Sequence, residues 1–578
     1  MENLEIAAAL EEVADLLEIK GSNPFRIRAY RNAVRTIQGL TRPLATMVSE
    51  GEELTELPGI GKEMANHILE LVQWGELKLL EEMGAEIPRS LTDLIRLDGV
   101  GPKKARKLWE SLGVTSVDEL ESVLHTGRVE ALEGFGRKSV EKIGRAVEDF
   151  RKHQGRFLLS DADVLVAPLV RSLREIPGVE RVEVAGSYRR RKDTVGDVDL
   201  LVLCEENASE VMDRFMAFPG ALRVESAGET RGRILLRSGL PVDIRILPRE
   251  SYGAALHYFS GSKEHNVAVR TLGVKKGLRI NEYGVFRDGE GGERLGGETE
   301  EEVFEAVGLP WIPPLLRENR GEVEAAREAR LPKLISLEDI RGDLQMHSTW
   351  SDGVNSIREM AEECRARGYE YLSLTDHSQA VTVAGGLKPD EVLAQRREIE
   401  GIREELEGIR LFQSLEVDIL KDGSLDMPDE VLESLDLVLV SVHSFMQMDK
   451  PAMTERVIRA IRHPEVDILA HPTGRILNRR EPYALDVEAV LQAAAESDVA
   501  VELNAHPERL DLHDGHVRRA KELGVKVAIN TDAHSTRDLG LIRYGVDQAR
   551  RGWLERDDVL NALPLSEFER WIQRKSRR

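Results

Sequence analysis

Apolar residues recur at three- and four-residue spacing from the N-terminus to about residue 150, broken by glycine turns, and this predicts a run of helices. The opening segment, MENLEIAAALEEVADLLEIKG, has no basic leader and reads as an amphipathic helix, not a signal peptide. From about 160 to 250 the period shortens toward that of strands, in VERVEVAGSY, DVDLLVL, GRILLRS and LPVDIRIL. Residues 251–318 return to helix and loop and end at Pro310, Pro313 and Pro314; the polar stretch from Arg317 to Pro332 then reads as a linker. Beyond it, short apolar runs alternate with helical segments: YEYLSLTDH, DLVLVSVHS, VDILAHP, VAVELNA and VKVAINTDAH. That alternation predicts a parallel α/β arrangement, a distorted barrel with polar residues at the strand C-termini.

The expected architecture is multidomain, α+β followed by α/β. Its boundaries fall at 1–84 and 85–155 for two helical units, 156–250 for a mixed sheet, 251–318 for a smaller subdomain, 319–337 for a linker and 338–578 for the barrel. No stretch approaches the roughly 20 apolar residues of a membrane span. The cysteines are Cys204 and Cys364, far apart in sequence, which suits a reducing cytoplasm. A net charge of −23 would by itself argue against nucleic acid. Phosphate binding is local, however, and basic residues cluster at Lys103, Lys104, Arg106 and Lys107, at Arg151, Lys152 and Arg156, and at Arg189–Lys192.

Three segments carry the chemistry. A weak repeat, LPGIGKEMA, LDGVGPKKA and LEGFGRKSV, places glycines two apart before a helix start: Gly59 and Gly61, Gly99 and Gly101, and a looser third copy. Free N–H groups at such a start can face a DNA phosphate without reading sequence, and Lys103 and Lys104 stand beside the second copy. A single copy would be an ordinary glycine turn; three copies flanked by cations point to nucleic acid.

The second segment is AGSYRRRKDTVGDVDLLV. Gly186 and Ser187 could cradle phosphate oxygens, Arg190 would add a charge-assisted donor, and Asp197 and Asp199 lie two apart on one strand face. Asp243, in LPVDIRIL, supplies a third carboxylate from a neighbouring strand. Phosphoryl transfer uses such a set to hold two Mg²⁺ roughly 4 Å apart. This segment resembles the family X DNA polymerases, of which DNA polymerase beta is the best known, and the resemblance extends over residues 1–318. It implies triphosphate binding by Gly186, Ser187 and Arg190, a weaker phosphate contact from Arg156, and close approach of the nucleotide at Gly196. In HYFSGSKEHN it implies that Tyr258 and Phe259 back the sugar, Gly261 permits close packing and Asn266 touches the base edge. The implied partners are gapped or primed DNA and a dNTP, with the protein a monomer. Two departures stand out. Arg191 replaces a small residue, and His67 occupies the aligned place of the lysine that family members with deoxyribose phosphate lyase activity use. An imidazole forms no stable imine.

The third segment runs from 343 onward, where DLQMHSTWSDG, LTDHS, SLEVD, VSVHS, LAHP and NTDAH read as a ligand set for Zn²⁺, Mn²⁺ or Fe²⁺. It resembles the polymerase and histidinol phosphatase domain. That resemblance implies metal ligation, for two or three Mn²⁺ or Zn²⁺, by His347, Asp352, His377, Glu416, His443, His471, Asp532 and His534. Gln345 stands where the first histidine of an H-x-H pair is normal. The combined expectation is a cytoplasmic polymerase for short gaps in base excision repair, with a Mn²⁺-dependent 3′–5′ exonuclease. Two other readings stay open: a silent metal-binding scaffold in place of the exonuclease, or a template-independent nucleotidyltransferase fused to a phosphatase.

Overall fold

The computed structural model describes residues 3–574, apart from 40–43, 58, 96, 98, 125, 154 and 290–291. Contacts divide the chain into two units, one formed by residues 1–154 with 478–480 and the other by 155–477 with 481–578. The first is helical. The helix Asn3–Lys20 buries Ile6, Leu10, Val13, Leu16 and Leu17, the apolar stripe expected of its pattern, in a core shared with Tyr30, Ile68, Leu71, Leu108 and Leu120. The hairpin helices Lys62–Trp74 and Pro102–Leu112 each begin at a glycine N-cap and end at a left-handed glycine, Gly75 and Gly113.

In the second unit a five-stranded mixed sheet runs in the order Val179–Val184, Val198–Cys204, Pro241–Leu247, Arg231–Leu236, Ala221–Ala227, with only the second and third strands parallel to each other. Val198–Cys204 is nearly all apolar because both its faces are covered, whereas Pro241–Leu247 alternates buried and half-buried positions. Beyond residue 340 the strands are parallel, in sheets of three and five. Isolated parallel bridges, His377 to Glu416 and Met346 to Ala533, join the ends of the two sheets into the expected distorted barrel. Among the described residues no helix is long and apolar enough to cross a membrane.

The stretch read as a linker is packed instead. Arg317 and Glu322 are fully buried, and Val323 and Ala326 join the core of Val269, Val303 and Phe304. Two of its charges are internal: Arg317 pairs with Glu300 and Glu322 with His265. The sheet unit and the barrel also share a core, since Leu510 and Tyr544 pack among Leu159, Val195 and Val242.

Candidate active sites

In the helical unit Gly59, Gly99 and Gly134 adopt left-handed φ of 74°, 89° and 88°, so all three hairpin turns are built alike. The lysine cluster beside the second hairpin is not the free cationic patch that its composition suggests. Lys104 donates to Gly99 O (3.0 Å) and Ser139 Oγ (2.7 Å) and lies over the Phe135 ring, while Lys107 donates to Glu133 O (2.8 Å). Both therefore staple the second hairpin to the third. Arg106 pairs with Glu110, and Lys103 alone of the two predicted lysines is exposed. The side chains of Arg151 and Lys152 lie outside the described residues. Where a lyase lysine would stand, His67 Nδ1 lies 3.1 Å from the buried Tyr30 hydroxyl, and burial lowers the proton affinity of the imidazole.

In the mixed sheet Asp199 and Asp243 are register partners on the two parallel strands, and Asp197 immediately precedes the first of them. Burial, reinforced by Asp197 and Asp243, raises Asp199 to about 6; burial also raises Asp243, against Arg233 at 3.4 Å. Three crowded acids with too little positive charge suit divalent cations. Gly186 has φ of 66°, and a Cβ there would come 2.9 Å from Asp199 Oδ2, so only glycine brings this turn against the carboxylate. Arg156 is spent on Thr194, through Oγ1 at 2.8 Å and O at 2.6 Å, and sits beside Gly196; it fixes the loop before Asp197.

The arginines after Ser187 each have protein partners. Arg189 forks onto Glu300 (2.7 and 2.9 Å), and Arg190 bonds Glu318 (3.0 Å) and Ser260 O. A Cβ on Gly261 would lie 3.1 Å from Arg190 Nη1, so that glycine clears the guanidinium. Asn266 donates to Tyr258 O at 2.7 Å and keeps a buried, unpartnered Oδ1, and the Phe259 ring is covered by Arg245. Arg191, at φ 54°, joins Asp163 (2.9 Å) to Asp547 (2.6 Å). Asp547 lies on the helix Ile542–Arg551, whose Arg551 donates to Arg190 O (2.6 Å) and Glu318 (3.1 Å). A barrel helix thus grips the loop from behind, and no sequence signal marked it.

At the barrel mouth eight predicted ligands converge. Three overlapping groups could each hold a metal: His347, Asp352, His377 and His534; His377, Glu416 and His443; and His347, Glu416 and Asp532. Glu416 is the hub, accepting from His471 Nε2 at 2.7 Å. His377 Nδ1 and Glu416 Oε2 lie 3.2 Å apart, yet both are buried without a hydrogen-bond partner, as are Nδ1 of His347 and of His471. Orphaned donor atoms of this chemistry fit a cation. Burial pushes His377 down to about 4, although Glu416 pulls the other way. Asp352 and His534 move apart against burial, Asp352 down to about 2 and His534 up to about 9, because they pair.

Gln345 is fully buried and turns its amide nitrogen to Glu502 Oε2 at 3.0 Å, leaving its carbonyl toward Asp532. Sequence reasoning passed over this layer beneath the ligands. Burial, then Asp532, holds Glu502 well above the usual carboxylate range; it also accepts from His471 N and Asn530. Asp343 and Asp376 take Thr531 and Ser348. All these residues lie in the segments already flagged, and their fixed hydrogen bonds orient the ligands.

Family models match along the chain: "Helix-hairpin-helix domain" at 1–77, "SAM-like Helix-hairpin-helix tandem" at 91–149, "DNA polymerase beta palm" at 161–224, "DNA polymerase beta thumb" at 255–318 and "PHP domain" at 343–506. The tandem match spans the second repeat and the looser third. The DNA polymerase/3'-5' exonuclease PolX of Bacillus subtilis is 38% identical over 99% of this chain and 100% of its own length. DNA polymerase lambda of Rattus norvegicus is 25% identical over 55% of this chain and 56% of its own. A probable phosphatase of Acetivibrio thermocellus is 30% identical over 39% of this chain and 91% of its own. The residues gathered in the mixed sheet and at the barrel mouth thus sit in a chain that matches a polymerase from end to end, and the chain belongs to the family X DNA polymerases that carry a C-terminal PHP domain.

Proposed function

We propose that this protein extends DNA primers across short gaps at the mixed sheet and removes nucleotides from 3′ ends at the barrel. The full-length similarity to a polymerase/3'-5' exonuclease carries the reading, and two separate sites of suitable chemistry support it. In the sheet, Asp197, Asp199 and Asp243 would hold two Mg²⁺, which when bound activate the primer hydroxyl and neutralise the leaving pyrophosphate. Gly186, Ser187 and Arg190 would take the triphosphate, Arg190 leaving Glu318 to do so. Tyr258 would stand at the sugar, with Asn266 offering its unpartnered Oδ1 to the base edge. Phe259, under Arg245, would stiffen that wall, and Gly196 would admit the nucleotide beside Asp197. The hairpins at Gly59, Gly61, Gly99 and Gly101, with Lys103, would hold the duplex backbone.

At the barrel His347, Asp352, His377, Glu416, His443, His471, Asp532 and His534 would hold two or three ions, Mn²⁺ or Zn²⁺, with the Gln345 carbonyl as a neutral oxygen donor. Such ions supply Lewis-acid polarisation of a phosphodiester and a nucleophilic water. Hydrolysis adds water across the terminal P–O bond and yields a shortened 3′-hydroxyl end and a nucleoside monophosphate. The phosphatase relative, covered over 91% of its length by the barrel region, favours 3′-phosphate removal as a second activity there.

The test is a pair of variants on gapped DNA. Asp197→Ala should lose extension by several orders of magnitude and keep 3′–5′ degradation; His347→Ala and Glu416→Ala should do the reverse. Loss of both activities in Asp197→Ala would remove the assignment of two independent sites.

A further inference from the structure

Large apolar side chains are exposed around the barrel mouth, on loops that follow the clustered ligands: Val354 after Asp352, Val383 after His377 and Phe445 after His443. Phe445 is 58% exposed and has φ of 53°, a conformation that a bulky residue rarely adopts. Strain at a solvent-facing aromatic ring gains nothing from packing, and such outliers gather at functional positions. The ammonium of Lys421, an exposed residue just beyond the strand Glu416–Asp418, lies 5.5 Å from the ring centroid.

The two loops are held as one piece. Arg456, 1% exposed, donates from Nε to Leu420 O (2.9 Å), from Nη1 to Ser444 O (2.9 Å) and from Nη2 to Ile419 O. Asp418 closes the frame: Oδ1 accepts from His443 N at 2.9 Å and Oδ2 from Ser444 Oγ at 3.2 Å. A buried guanidinium spent on the carbonyls of two surface loops fixes the ring and the lysine beside the ligands.

We propose that Phe445 and Lys421 form a subsite for the end of a nucleic-acid strand, with the terminal nucleobase stacked on the ring and an adjacent phosphate on the ammonium. Aromatic rings paired with cations bind single strands in this way because every base offers a π-face. A small phosphate monoester would need neither group. The subsite rests on the reading that the barrel hydrolyses DNA 3′ ends, and it makes the substrate class a frayed or single-stranded 3′ end carrying a base.

The experiment measures kcat/KM for 3′–5′ degradation by the full chain with Mn²⁺. It compares a single-stranded oligonucleotide with one whose terminal nucleotide is a base-free tetrahydrofuran. Phe445→Ala should lose about tenfold on the base-bearing end and little on the base-free end, and Phe445→Trp should restore the loss. Lys421→Ala should flatten the salt dependence of degradation. Primer extension and thermal melting should match wild type in all three variants, since both residues sit on exposed loops of the barrel. Equal rates for wild type and Phe445→Ala on the base-bearing end would overturn the subsite, as would an equal loss on both ends. Wild-type protein that leaves every 3′ end intact would overturn the hydrolase reading itself.

Discussion

Lys103 and Lys104 are adjacent in sequence, yet their replacement should have opposite consequences. Lys104 donates two hydrogen bonds across to the third hairpin and its own turn, and covers the Phe135 ring. A charged donor contributes about 1.5–3 kcal/mol where its partner would otherwise be stranded, and an exposed cation–π contact about 0.5–1 kcal/mol. The site is part-buried, so water recovers much of this, and Lys104→Ala should cost about 1–3 kcal/mol. For a unit of this size that is a fall in melting temperature of several degrees, on the order of 2–4 °C per kcal/mol. Lys103 is exposed and should cost little stability on removal. If it meets a phosphate, Lys103→Ala should lower the log–log salt slope of duplex binding by about 0.9. The assay is fluorescence anisotropy with duplex DNA between 50 and 200 mM salt, alongside a thermal melt of each variant. Lys104→Ala that flattens the salt slope like Lys103→Ala, with an unchanged melt, would refute the staple.

Three further outcomes follow from other parts of the molecule. His257 is fully buried with both ring nitrogens unpartnered, and burial, then Arg317, holds its proton affinity well below that of an exposed imidazole. The unfolded chain takes up its proton near pH 6.5 and the native state does not, so stability is full above that pH and falls by about 2 kcal/mol between pH 7 and 5. Melting His257→Leu at both pH values should show a smaller fall, and an identical one would contradict the assignment. Arg551→Ala should raise the dNTP KM several-fold in steady-state extension and leave 3′–5′ degradation unchanged, because the arginine holds the Arg190 carbonyl and Glu318; an unaltered KM would make it a mere interface residue. Borohydride trapping on 5′-incised abasic DNA should give no strong adduct, since His67 occupies the lyase place; an adduct mapped to one lysine and lost on its replacement would show that another amine does the chemistry.

The elements were legible wherever periodicity reflects burial. Pro241–Leu247 alternates in sequence and in the sheet, and the covered strand Val198–Cys204 shows the continuous apolar run of a two-faced core position. The barrel ligands were legible because most of their segments follow an apolar strand. What composition could not reveal was whether a charge faces water or another charge. Arg317, Glu318, Glu322 and Arg320 look like a solvated linker when read in order, yet their partners are Glu300, Arg190, His265 and Asp514. Lys104 and Lys107 misled in the same way, because Ser139 and Glu133 stand a hairpin away.

The same blindness hid the contact between the polymerase loop and the barrel. Its helix Ile542–Arg551 carries Tyr544, Asp547 and Arg551 at spacings of three and four, an unremarkable surface pattern in sequence. In the fold that face meets the turn after Ser187: the Tyr544 hydroxyl reaches Asp163, Asp547 takes Arg191, and Arg551 takes the carbonyl of Arg190. Arg191, which the family resemblance sets in the place of a small residue, has a carboxylate partner on each side. A small side chain there would leave Asp547 and Asp163, about two thirds of the chain apart in sequence, without the cation that joins them. Arg191 thus ties the unit of the mixed sheet to the barrel, with Asp163 on one side and Asp547 on the other.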